Sequence, residues 1–76
     1  DETYTQYNDI QLKQGFDLKT YSGMRVKRWT YSVKNYPGHE NKNYIRINLL
    51  VYEGLVVGGD VCSIELDGFM HGFEKT

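Results

Sequence analysis

Residues 43–66 read NYIRINLLVYEGLVVGGDVCSIEL, and the fold turns on how this stretch is read. It is rich in aliphatic, β-branched and aromatic side chains, the types that suit a pleated, half-buried surface. Glu53-Gly54 interrupts it near the middle, and two apolar runs split by a short glycine-containing break signal an antiparallel β-hairpin. Two registers compete. A two-residue loop pairs Tyr52 with Leu55 and lines one face with Ile45, Ile47, Leu49, Val51, Val56, Cys62, Ile64 and Leu66, leaving Asp60 as a misfit. A three-residue loop over 52–54 pairs Val51 with Leu55 and sets Arg46 opposite Asp60. It gathers Ile45, Ile47, Leu49, Val51, Leu55, Val57 and Val61. Glu53 suits poorly the positive φ that a type I′ turn needs at both central residues, so the residue types favour the three-residue loop. The choice matters because a one-residue slip moves every side chain to the other face. Gly58-Gly59, inside the second arm, reads as a bulge, a bend, or space for a large residue such as Trp29, ahead of a place where a ligand backbone approaches. No helix follows it, so it is not a phosphate loop.

Upstream, residues 24–35, MRVKRWTYSVKN, alternate Trp29, Tyr31 and Val33 with Thr30, Ser32 and Lys34, the period of a strand. Ser22-Gly23 reads as a turn before it. Residues 35–43, NYPGHENKN, read as a polar surface loop in which Pro37-Gly38 suits a type II turn. Downstream, Asp67-Gly68 is a further turn signal, and the tail FMHGFEKT fits a short edge strand with Phe69, His71 and Phe73 on one face. Residues 3–18 admit two readings. Ile10, Leu12, Phe16 and Leu18 share parity as in a strand, whereas a short helix would start near Asn8 or Asp9 and stop at Gly15. The apolar spacing is poor for a helix, which favours strand or extended chain. The expected fold class is therefore mainly β: an antiparallel meander of three long strands, plus one or two N-terminal strands or a short helix, with α+β as the alternative.

The chain has 76 residues, one domain with a single small core. Apolar residues at 39% and charged residues at 25% are a folding composition rather than a disordered one. A net charge of -1 gives no global pull towards nucleic acid or anionic membrane. No apolar run is long enough for a membrane-spanning helix. The seven tyrosines suit either strand surfaces or a binding face. Cys62, the single cysteine, is expected to be a small buried hydrophobe, and no intrachain disulfide can form. The chain opens on Asp1 in DETYT, as a mature exported (periplasmic or secreted) chain or a trimmed cytosolic fragment would, and the expectation leans to export.

Chemistry-bearing constellations are thin. His39 and His71, read as exposed, lack the short spacing of zinc motifs with Cys62. Asp60 and Glu65 beside Cys62 raise a thiol pKa rather than activate it. Asp60, Glu65 and Asp67 have no context that makes them an acid–base pair. The candidate binding residues are Arg25, Lys27, Arg28, Trp29 and Tyr31 on the basic strand, with Tyr36 and His39 on the Pro-Gly loop. On a strand, Arg25, Lys27, Trp29, Tyr31 and Val33 share a face, so aromatic stacking flanked by cations could bind single-stranded nucleic acid. The plainer reading sends Trp29 and Tyr31 into the core. The expected function is a non-catalytic protein-interaction or accessory domain without cofactor or metal, with single-strand nucleic-acid binding as the alternative. The expected partner is another protein, or a second copy paired along a sheet edge.

Overall fold

A computed structural model describes residues 1–74. Lys75 and Thr76, the end of the expected edge-strand tail, lie outside the described residues. A helix α1 (Glu2–Lys13) and a short 3-10 helix (Leu18–Tyr21) precede four strands: β1 (Lys27–Ser32), β2 (Ile45–Tyr52), β3 (Leu55–Ser63) and β4 (Met70–His71). The strands form one antiparallel sheet in the order β1-β2-β3-β4, the expected meander extended by the expected short edge strand. The fold is a small α+β one, mostly strand.

The hairpin closes differently from the favoured register. Tyr52 pairs with Leu55, so the loop has two residues, and Glu53 and Gly54 both take positive φ, 49° and 81°. This is the type I′ turn, whose twist matches that of the flanking strands; the match offsets the cost of about 1–2 kcal/mol for a left-handed Glu53. The two-residue register does not persist either. Val51 pairs with Val56 but Leu50 pairs with Gly58, so Val57 is an extra residue, a β-bulge. Beyond it Ile47 faces Val61, Asn48 faces Asp60, and Arg46 faces Cys62. The expected Arg46–Asp60 pair is thus replaced by Asn48–Asp60. Strand β3 stops at Ser63, before the expected Leu66, whose side chain is 94% exposed.

Residues 2–13 are helical, not extended. Asp1 caps the helix by accepting from the Tyr4 N–H at 2.8 Å, well upstream of the expected Asn8 or Asp9 start. Gly15, with φ 87°, ends it in a Schellman motif. The Phe16 N–H bonds the Gln11 carbonyl and the Gly15 N–H bonds that of Leu12. Apolar spacing failed to show this helix because its docked face is polar. Asn8 and Gln11 are buried, Gln11 fully, while Leu12 is half exposed.

The glutamines dock the helix at one place in the sheet. Val61 pairs with His71, and continuing that ladder would pair Gly59 with Phe73. Side-chain amides take that rung instead. Gln11 Oε1 accepts from the Gly59 N–H at 2.7 Å. Gln14 Nε2 donates to the Gly59 carbonyl at 3.0 Å and to Gln11 Oε1 at 3.1 Å. Gln14 Oε1 accepts from the Phe73 N–H at 2.7 Å. Gly59 must be glycine: its φ is 153°, and a Cβ there would strike the Asn48 carbonyl oxygen and the Phe73 ring.

Cross-strand partners share a face, which separates the sheet into two sides. A Cβ on Gly58 would point at Gln11 and Leu18, and Asp60 meets Tyr7. The helix side therefore carries Arg28, Thr30, Leu50, Asn48, Arg46, Asp60 and Cys62. The other side carries Lys27, Trp29, Tyr31, Val51, Leu49, Ile47, Ile45 and Val61. At the Ile45 end of that side, Tyr36, Ile45 and Val61 form the buried core cluster, with Val33, Tyr44, Ile47, Phe69 and Phe73 packed against it.

Truncating Gln11 to Ala strands the buried Gly59 N–H, which costs about 1–3 kcal/mol. Urea denaturation should show a loss of that size, whereas Leu12→Ala should stay within about 0.5 kcal/mol of the parent.

Candidate functional site

The helix side is polar and internally satisfied. Asp60 is 1% exposed. Its carboxylate accepts from the Tyr7 hydroxyl at 2.6 Å and from Asn48 Nδ2 at 3.3 and 3.2 Å. Thr30 Oγ1 in turn donates to Asn48 Oδ1 at 2.7 Å. Burial, then the hydrogen bond to Asp60, push the Tyr7 hydroxyl far above its ordinary range. Burial, then the negative charge of Asp60, push the Cys62 thiol up as well. That is the opposite of what a nucleophilic cysteine needs. Among the described residues no group of three His, Cys, Asp or Glu side chains could hold a metal ion. Two open grooves, of about 510 and 450 Å³, flank the helix. The titratable groups on the first are Lys13, His71 and Glu74. Tyr4, Leu18, Tyr21, Val26, Leu50 and the cation Arg28 border the second.

The loop pair read as binding residues sits inside the fold. Tyr36 is buried. It stacks on Phe69 at 5.0 Å between ring centroids, and Phe69 stacks on His71 at 5.6 Å. His71 Nδ1 faces the Gly72 carbonyl at 2.6 Å. A carbonyl only accepts, so the neutral ring carries its proton on Nδ1 and Nε2 accepts from the Tyr36 hydroxyl at 2.8 Å. His39 Nδ1 lies 2.8 Å from the Tyr44 hydroxyl. Both histidines, expected to be exposed, are half-buried members of an aromatic cluster that ties the Pro-Gly loop to β4. The loop itself turns as expected, with the His39 N–H bonded to the Tyr36 carbonyl across Pro37-Gly38.

The basic strand is different. Every residue of β1 is exposed, and Arg25 is exposed ahead of it. Trp29 and Tyr31 are each 50% exposed rather than in the core. They stand beside their cross-strand partners Leu49 and Ile47 on the side turned away from α1. Lys27 shares that side, but Arg28 turns to the helix side, so the two neighbouring cations do not serve one surface. Ile47, Leu49 and Val51, half-buried, complete an apolar and aromatic face that no single run of the sequence displays. Finding it needs the β1–β2 register and the knowledge that α1 covers the opposite side.

The edge of β1 is also open. The Val33 N–H bonds the Ile45 carbonyl, so the pairs Tyr31–Ile47 and Trp29–Leu49, two and four residues on, are the hydrogen-bonded ones. The main-chain N–H and C=O groups of Arg28, Thr30 and Ser32 therefore point away from β2. No strand lies beyond β1 among the described residues. Charge concentrates here too. Residues 18–39 hold five of the nine Lys and Arg residues and none of the ten Asp and Glu residues.

The chain belongs to a family described as a domain of unknown function (DUF4830), whose model matches residues 2–61. The match runs from the start of α1 through Val61, so it takes in Gln11, Gly59 and the whole of β1. Comparison with curated proteins and with solved structures yields no match. No helix among the described residues is long and apolar enough to cross a membrane.

Two measurements check this geometry. Trp29, the single tryptophan, should be freely quenched by acrylamide in the folded protein, and Trp29→Ala should cost no more than about 1 kcal/mol. That is well below the 3–5 kcal/mol typical of a buried aromatic. Cys62 in the folded chain should react with a disulfide reagent along a pH profile displaced above that of the urea-unfolded chain. The folded state favours the neutral thiol. The resulting stability is full below the unfolded thiol pKa of about 8.5 and is lost as pH rises through the higher folded value.

Proposed function

We propose that this DUF4830 domain is a non-catalytic interaction module that binds a protein partner through the sheet face turned away from α1. One observation carries the reading: Trp29 and Tyr31, each half exposed, stand beside Leu49 and Ile47 on a face that the helix does not cover. Exposed aromatic residues flanking an aliphatic centre have the composition of a protein-binding patch, where Trp and Tyr contribute the most per residue. Supporting this, the buried polar groups are bonded to one another rather than aimed into a cleft. Nucleic-acid binding is less well supported. Lys27 is the one cation among the face residues carried by β1 and β2, and stacking platforms for single strands sit in a positively charged groove.

A photocrosslinking residue in place of Tyr31 tests the proposal, with Asp9, exposed on α1 and lining neither groove, as the control position. Irradiation in the native host should attach one discrete protein to position 31 and leave position 9 unmodified, and Trp29→Ala should abolish the adduct. Adducts to nucleic acid alone, or equal labelling from both positions, would overturn the reading.

A further inference from the structure

We infer that β1 is a docking edge for an extended acidic segment, which joins the sheet as a fifth strand antiparallel to β1. This deepens the interaction-module reading and rests on it. Three independent features converge on the edge. The N–H and C=O groups of Arg28, Thr30 and Ser32 point outward with no strand beyond them among the described residues. These six groups form a row of N–H and C=O pairs on alternate residues, the spacing that accepts an added antiparallel strand. Strand β1 carries no proline and no bulge, so among these common guards of an exposed edge it keeps charge, at Lys27 and Arg28, which turns away unselected strands and admits an acidic one. The edge strand carries Lys27 and Arg28 and no acid, and it lies in a stretch, residues 18–39, with five cations and no acid, while the remainder carries four cations and ten acids.

The register of β1 sets what the incoming strand must look like. Residues opposite Arg28, Thr30 and Ser32 share the helix side, and residues opposite Lys27, Trp29 and Tyr31 share the open side. An antiparallel segment therefore meets Ser32 first and Lys27 last. It needs small polar residues opposite Ser32 and Thr30, β-branched or aromatic residues opposite Tyr31 and Trp29, and acids opposite Arg28 and Lys27. The edge and the open face are one continuous surface, so such a strand extends the apolar patch while its two acids neutralise the end of β1. No acid lies on β1 itself, so a second copy presenting the same strand would supply no counter-charge.

The probe is the capped hexapeptide Thr-Val-Thr-Val-Glu-Glu, titrated into the isotopically labelled full chain while backbone amide shifts are followed. The expected result is saturable shifts at Arg28, Thr30 and Ser32, abolished when the third and fifth peptide residues are N-methylated. Changing both glutamates to lysine should weaken binding by about tenfold, and Lys27→Glu should narrow or reverse that preference. Equal binding of the N-methylated peptide, or of the lysine peptide, overturns the inference. So does an absence of shifts, or competition by oligothymidylate in place of peptide binding. Shifts confined to Ile47, Leu49 and Val51 would leave the interaction face standing and remove the edge. Amide shifts at Arg28, Thr30 and Ser32 that depend on protein concentration without peptide would assign the edge to a second copy and likewise refute an acidic partner.

Discussion

The hydrogen bond from the Gly59 N–H to Gln11 Oε1 is the contact on which the rest of the structure depends. Strand β4 is two residues long, so the ladder it makes with β3 ends before Gly59. Gln11 and Gln14 continue that ladder with side-chain amides, bonding both main-chain groups of Gly59 and the N–H of Phe73. A buried peptide group needs such partners, and these come from the helix. The same contact fixes where α1 lies and which side of the sheet it covers.

The consequences run through both faces. Because α1 docks through amides, it sits on the side that carries Asp60, Asn48 and Thr30, and it completes their network with the Tyr7 hydroxyl. Among the described residues, the side with Trp29, Tyr31, Leu49 and Val51 is left without a helix. A chain that buried this second side under an aliphatic helix would have an ordinary two-layer core. Here the core instead gathers at one end, where Tyr36, Ile45 and Val61 meet the rings of Phe69 and Phe73.

The strands and their order were legible in the sequence, since alternation around Trp29 and the apolar arms either side of Glu53-Gly54 are local signals. The helix was not, because periodicity registers aliphatic faces and α1 buries Asn8 and Gln11. The hairpin register was missed through two compensating features. Glu53 accepts a left-handed conformation that its residue type disfavours, and Val57 bulges, which returns Ile47 and Val61 to one face as the three-residue register has them. Gly58-Gly59 did flag irregular backbone, though not the residue that bulges. For the site, the basic aromatic strand was visible, but its exposure was not. Alternation says which residues share a face, and only the position of the helix says which face is covered. Tyr36 and His39 looked available because they lie in a polar loop, and the aromatic cluster that holds them brings in Phe69 and His71 from about thirty positions away.

Native-state amide hydrogen exchange reads this arrangement most directly, because it compares the Gly59 N–H with those of Arg28, Thr30 and Ser32 in one experiment. The glutamine-docked helix predicts that Gly59 exchanges only through near-global unfolding, as slowly as the ladder-bonded amide of Val61, while the three outward groups of β1 exchange fast. Exchange at Gly59 as rapid as at Thr30 would contradict it, since the helix would then not be held on that side of the sheet.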